Sequence, residues 1–349
     1  MKFTIVTVVF DIEYPLLLLQ ARSIVLYVKK DDIEEIIFIQ NCDINNQKNT
    51  IFFESSINIL RANGFMVRIV HRDKFFVGIQ ASGWELQQSL KLMASAIVHT
   101  SYYLVLDTKN HFIREVNCNR LFVGDKAISH KTIKYGSMLE WLKKPMASLN
   151  LDISENEKSM PTTTPYLINT KLVIELTKYI GESIDKFLLK NKKATEFFLY
   201  FAYLKKTNLI DKLYLFTDAF CATFFTKYPS TEEEVNHVKK LLENKNVFCV
   251  GVHRNRFLSC SEDFKKYLFE LWKKYELIYG ESDFNSIFDA MTIYKVAEHT
   301  KQTLTKELPR EDKIQNSRKV VLFMINITKT LCESENLTDI ASLGKAMQS

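Results

Sequence analysis

The stretch 102-YYLVLDTKNHFI-113 decides how the chain reads. Five apolar residues, Tyr102 to Leu106, have the length and composition of a strand buried on both faces. Asp107, Lys109, Asn110 and His111 follow at once, and polar groups of that density need partners if they stay buried. The strand is therefore expected to end at a site.

The same grammar extends to either side. Residues 2–10 read as a first strand, 14–28 as a helix and 33–41 as a second strand. "INILRANG" reads as a helix closed by a glycine, "FMVRIV" as a strand, and 84–99 as a helix leading into the strand at 102. Strand and helix alternate, which predicts an α/β fold: a mostly parallel sheet with helices on both faces. In such sheets ligands lie outside the carboxyl ends of the strands, where strand order reverses. Asp11, Asp43 and Asp107 each follow an apolar strand and are expected to converge there, although Asp also suits an ordinary turn. Beyond about residue 115 the pattern loosens. "DISENEKSMPTTTP" reads as a loop, 170–190 and 194–206 as helices, "NVFCVGVH" as a strand, and "EDFKKYLFELWKKYELIY" and "SRKVVLFMINITKTLCE" as helices. Phe264, Leu268, Leu271 and Tyr275 share one stripe.

Composition excludes several classes. With 46% hydrophobic and 25% charged residues, and only 9 Gly and 6 Pro in 349 residues, the chain is long enough for a substantial core and poor in linker sequence. The six cysteines show neither metal-finger spacing nor a disulfide framework, which fits a reducing cytoplasm. No secretion signal opens the chain, and "YPLLLLQARSIVLYV" is too short and too interrupted to span a membrane, so it reads as a buried helix. A net charge of +6, spread along the chain, suits an anionic small ligand better than nucleic acid. Lys301, Lys306, Arg310, Lys313, Arg318 and Lys319 suggest weak peripheral attachment to anionic inner-membrane lipids, or simply a solvated basic face. GxGxxG, GxxxxGK[ST] and GxSxG are all absent, which counts against dinucleotide, P-loop and α/β-hydrolase chemistry.

Within helix 84–99, Leu86, Leu90, Met93 and Ile97 form the apolar stripe, while Gln87 and Lys91 lie one turn apart on another face, either at the sheet edge or in solvent. Asp107-Thr108-Lys109 occupies the place where many sugar-nucleotide enzymes carry Asp-x-Asp, whose carboxylates hold Mg²⁺ or Mn²⁺ on the donor diphosphate. Lys109 stands in place of the second carboxylate, which weakens a metal site and itself offsets phosphate charge.

In this order, "RSIVLYV", "GWELQQSLKLMASAIVHTSYYLVLDTKNHFI", "TPYLINTKLV", "ATEFFLYFAYL" and "VGVHRN" resemble an uncharacterised family of bacterial glycosyltransferase-like proteins associated with capsular polysaccharide genes. The resemblance covers about residues 3–258, and it is specific around 83–113 and 194–204. It implies a GT-A fold over 1–258, with a nucleotide-binding half (1–115) and an acceptor half (116–258), followed by a helical C-terminal region (259–349). The family's own tract reads Asp-x-Lys-Asn, so Lys109 departs from the wider GT-A pattern and metal dependence is left open.

Glu196 is the expected general base, opening an aromatic helix whose burial would raise a carboxylate pKa, with Asp107 organising the donor. Glu196 beside Thr195 equally suits a helix N-terminus. Donor-binding candidates are Thr7, Asp11, Asp43, Gln87, Lys91, Lys109, Asn110, His253 and Arg254, and acceptor-binding candidates are His111, Thr164, Tyr166 and Asn169. Any metal would rest on Asp107 and His253. The expected partners are a nucleotide-sugar donor and a glycan acceptor. The alternatives are a catalytically silent binding or scaffold protein of the same shape, or transfer of a phosphoryl-linked group.

Overall fold

The computed structural model describes residues 1–43, 50–76, 83–191, 194–225, 230–257 and 260–293. One compact unit spans Met1–Met291. The second unit, Thr292–Ser349, falls almost wholly outside the described residues, and so do the helix expected from "SRKVVLFMINITKTLCE" and the basic cluster at 301–319.

The first half alternates as its apolar periodicity requires: β1 (Phe3–Val9), α1 (Tyr14–Tyr27), β2 (Ile33–Gln40), α2 (Thr50–Ala62), β3 (Val67–His71), α3 (Gly83–Met93) and β4 (Tyr102–Asp107). β3, β2, β1 and β4 lie side by side and parallel, and the strand Tyr166–Asn169 closes the β4 edge in the antiparallel sense. β1 and β4 are buried along almost their whole lengths, because helices cover both faces. Order reverses at β1, which has β2 on one side and β4 on the other, so the crevice outside the ends of β1 and β4 is the topological switch point.

α1 explains why "PLLLL" is apolar all round. Tyr14, Leu17, Ala21 and Ile24 join the main core, while Leu16, Leu18 and Leu19 join a second cluster with Ile113, Val250, Phe264, Leu268, Trp272 and Ile287. The expected stripe Phe264, Leu268, Leu271, Tyr275 is buried there, on the helix Glu262–Lys274. That helix and residues 281–291, also helical, belong to the same compact unit as the sheet. Among the described residues no helix is long and apolar enough to cross a membrane.

A second small sheet supports the site from behind. β5 (Asn110–Phe112), which follows the turn after β4, pairs antiparallel with Cys249–Val252, and this strand pairs parallel with Cys221–Phe224.

Candidate active site

The turn that ends β4 is fixed from several sides. Asp107 N donates to Asn110 Oδ1 at 2.9 Å, closing the turn on itself. Gln20 Nε2 donates to the carbonyls of Asp107 (2.7 Å) and Asn110 (3.1 Å), and Thr7 Oγ1 donates to Gln20 Oε1 at 2.9 Å. Thr7 and Asn110, expected to touch the donor, therefore stand behind the turn and position it.

In front of the turn lies a cleft of about 520 Å³, within the size range of small-molecule sites. Of the expected residues, Gln87, Lys91, Asp107, Lys109, Glu196, His253 and Arg254 line it. A solvated face for Lys91 is overturned: it is 5% exposed, with Nζ 2.8 Å from Asp107 Oδ1 and 3.1 Å from Glu196 Oε1. Lys109 Nζ pairs with Asp107 Oδ2, to which Thr164 Oγ1 also donates at 2.9 Å. Gln88, with its amide nitrogen turned to the carboxylate, donates to Glu196 Oε2 at 2.8 Å and accepts from Trp84 Nε1 at 3.3 Å. Four charges thus form a chain, Lys109–Asp107–Lys91–Glu196.

The two inner charges, Asp107 and Lys91, are held in their ionised forms by their neighbours. Burial alone would raise the Asp107 carboxyl, but Lys109 and Lys91 together hold it well below the usual carboxylate range. Burial alone would lower Lys91, yet Asp107 and Glu196 raise it above the ordinary lysine value. Glu196 is 4% exposed, so the burial expected for it is present, with the Lys91 ammonium group 3.1 Å from Oε1. Thr195 also caps its helix, accepting from Phe198 N at 3.4 Å, so this helix start serves both readings.

Several residues of the cleft escaped the sequence reading. Glu13, two residues past Asp11, accepts from Thr108 Oγ1 at 2.5 Å and from Arg254 Nη1 at 3.1 Å, tying the turns after β1 and β4 to the loop after Cys249–Val252. Trp84 and Trp141 stand 6.1 Å apart between ring centroids, with Trp84 48% exposed beside Met138. The chain has only three tryptophans, and a glycine-led "GWE" at a helix start was the available signal. Thr162 and Thr163 line the cleft as well, and these two did not escape: the hydroxyls of "TTTPYLINT" suit sugar recognition by residue type, as they equally suit a turn.

Other expectations go elsewhere in the structure. His111 is fully buried, with Nε2 3.3 Å from Leu16 O and its ring edge-on to Trp272, and burial pushes its pKa down to about 3. Tyr166 stacks on Phe197 at 4.3 Å in the core. Asn169 accepts from Leu172 N at 3.0 Å and caps the helix Thr170–Ile180. Thr164 is buried and reaches the site only through Asp107. These four acceptor candidates do not line the cleft, since the same hydroxyl, amide and imidazole groups also suit caps and core hydrogen bonds. Asp11 accepts from Ile12 N at 3.0 Å, and neither Asp11 nor Asp43 lines the cleft.

Among the described residues no three His, Cys, Asp or Glu side chains are grouped so as to hold a metal ion.

Solved structures similar to this chain include the galactosyltransferase LgtC in complex with donor and acceptor sugar analogues (13% identity, 89% of this chain and 99% of that one, TM-score 0.43). Others are the bifunctional glycosyltransferase WbbM (14%, 84% and 51%, 0.45) and mouse xyloside xylosyltransferase 1 (12%, 72% and 97%, 0.40). No curated protein sequence matches. The sequence profile of a family of unknown function, DUF6492, matches residues 14–264. With more than half of its length under that profile, the chain belongs to the DUF6492 family.

Proposed function

We propose that this protein is a GT-A-type glycosyltransferase that moves a sugar from a nucleotide-sugar donor to a glycan acceptor. One observation carries the reading: at the switch point, a single cleft gathers the cations Lys91, Lys109 and Arg254, the carboxylates Glu13, Asp107 and Glu196, and a pair of tryptophans. Glycosyl transfer needs these three kinds of group. The bond from the anomeric carbon to the diphosphate breaks and leaves negative charge on the leaving oxygen, which the cations offset. The acceptor hydroxyl forms the new bond and gives its proton to a carboxylate, here Glu196. Half-exposed aromatic faces suit the apolar face of a sugar ring.

A divalent ion does not fit this site. Both Asp107 oxygens are engaged by ammonium groups, and Thr164 adds a third donor. An incoming cation would have to displace two like charges, so donor binding is assigned to Lys109 and Lys91 without Mg²⁺ or Mn²⁺. His253 serves at the cleft as a polar contact and not as a ligand.

The acceptor class, a bacterial surface glycan such as capsular polysaccharide, rests on the sequence resemblance. The five cysteines among the described residues are free, which supports a cytoplasmic site of action. The two engaged oxygens of Asp107 also favour a second reading, a silent binding protein of the same shape.

A thermal-shift screen against nucleotides and nucleotide sugars, each with EDTA, Mg²⁺ or Mn²⁺, tests the proposal. The expected result is a rise in Tm with one nucleotide family that EDTA leaves intact. A rise that appears only with metal overturns the lysine assignment, and silence across the panel in a folded sample overturns the transferase reading.

A further inference from the structure

Behind the Asp107–Asn110 turn lies a pair of thiols that sugar transfer does not use. Cys221 and Cys249 are direct register partners on neighbouring parallel strands, so their side chains leave the sheet on the same face. The Cys221 thiol donates to Ala222 O at 3.9 Å and the Cys249 thiol to Val250 O at 3.7 Å. Neighbouring strands run about 4.8 Å apart, inside the Cα separation of roughly 4.4–6.8 Å that a disulfide spans. Cys221 is half-buried and Cys249 fully buried, so Cys221 is the less enclosed residue of the two.

The surroundings divide the two roles. Cys221 Sγ lies 3.4 Å from Thr223 Oγ1, and Asn110 Nδ2 donates to it at 3.8 Å. The neighbouring Cys249 thiol, then the hydrogen bond from Thr223 and the charge of Lys109, hold the Cys221 thiol below its ordinary pKa against the opposing effect of burial. Burial pushes Cys249 well above its ordinary value. Cys42, Cys118 and Cys260 are all raised by burial, the last to about 11. Among the described cysteines, Cys221 alone therefore has the environment of an attacking thiolate, and a second thiol lies next to it.

We propose that Cys221 and Cys249 are a modification site that closes to a disulfide on reaction with a hydroperoxide and reopens with a thiol reductant. The Cys221 thiolate attacks the peroxide, forming an S–O bond and breaking O–O, and the alkoxide or hydroxide that leaves takes up a proton. The Cys249 sulfur then attacks Cys221, forming S–S and breaking S–O, and the departing hydroxide leaves as water with the Cys249 proton. Two thiols and one peroxide become one disulfide, one alcohol or water, and one further water. Sulfur drawn toward Cys249 moves away from Asn110, whose Oδ1 and Nδ2 hold Asp107 N and Thr164 O. The modification thus acts on the turn that carries Asp107 and Lys109.

Peptide mapping of the full chain tests this independently of the transferase reading. The folded protein is treated with one equivalent of hydrogen peroxide, alkylated and digested with trypsin. Cys221 falls in peptide 213–227 and Cys249 in peptide 246–254. The expected product is a cross-link of these two peptides that dithiothreitol removes. Cys249→Ser should instead leave Cys221 as a sulfenic acid that dimedone traps, and Cys221→Ser should abolish peroxide consumption at this pair while Cys249 stays a thiol. The proposal is overturned if Cys118 or Cys260 oxidises while Cys221 remains alkylatable, or if Cys221 cross-links to a cysteine other than Cys249.

Discussion

Asp107 stands between two ammonium groups, and the two partners serve different ends. Lys109 is the partner that faces the cleft from the turn, so its removal leaves Asp107 satisfied by Lys91 and Thr164 while taking one cation from the diphosphate. A hydrogen bond to a charged group is worth roughly 1.5–3 kcal/mol, about a tenfold to hundredfold change in affinity. Lys109→Met is therefore expected to weaken donor binding by about that factor with little loss of Tm in the free protein, measured by donor titration of the thermal shift. Glu196→Gln keeps the shape and an acceptor for Lys91 but cannot take a proton. The expected result is a fall in kcat of roughly 100-fold or more with donor affinity nearly unchanged. An equal fall in both would make Glu196 a mere counter-ion of Lys91.

At the scale of elements, the strand Cys249–Val252 holds the second sheet together because Gly251 lets Thr223 come close. A methyl group at Gly251 would lie 2.8 Å from Thr223 Oγ1 and 2.9 Å from its Cγ2. Thr223 is a short branched side chain on a paired strand and cannot swing clear. Gly251→Ala is expected to cost about 1–3 kcal/mol, read from urea unfolding, and Thr223→Ala should recover most of it, since the two positions share one contact. The alternation that builds these elements was legible in the sequence, since periods of two and 3.6 are local properties, and so was the end of β4 as the place of a candidate site. The sides of α3 were not. Gln87 and Lys91 share a face by spacing, but whether that face meets solvent or Glu196 depends on a helix more than a hundred positions away. Trp84 and Trp141 meet for the same reason, through α3 and the helix Gly136–Ser148. Asn169 and Tyr166 misled because a cap and a core aromatic use the residue types that sugar sites use.

The molecule as a whole should be sensitive to acid before its carboxylates titrate. His111 has a folded pKa pushed down to about 3 by burial, against roughly 6.5 when unfolded. Between those values the unfolded chain binds more protons, so stability falls as pH falls, by about 2 kcal/mol from pH 7 to pH 5 for this histidine. His130, lowered to about 4 by burial and by Lys134, acts with the same sign. Asp107 acts at lower pH: with its folded pKa depressed, its contribution is intact above the usual carboxylate range. Urea unfolding at pH 7 and pH 5 should show the loss, and His111→Leu should remove its share while lowering stability at pH 7 through the lost bond to Leu16 O.

The second core cluster sets where the folded unit must end. Leu16, Leu18 and Leu19 of α1 and Ile113 after β5 are covered by Phe264, Leu268, Trp272, Phe284 and Ile287. Arg22 of α1 makes a two-pronged pair with Asp283, at 2.6 and 3.0 Å, and donates to Leu277 O at 3.0 Å. Each large apolar side chain buried contributes roughly 1.5–3 kcal/mol, against a net stability of about 5–15 kcal/mol for a typical domain. A chain ending at 258 loses all five covering side chains and leaves Arg22 without its partners, so it should express insoluble or melt without a cooperative transition. A chain ending at 293 keeps them and should melt cooperatively, with far-UV circular dichroism as the readout. Cooperative melting of the shorter chain would show that α1 needs no cover on that face, and that residues 1–258 are self-sufficient.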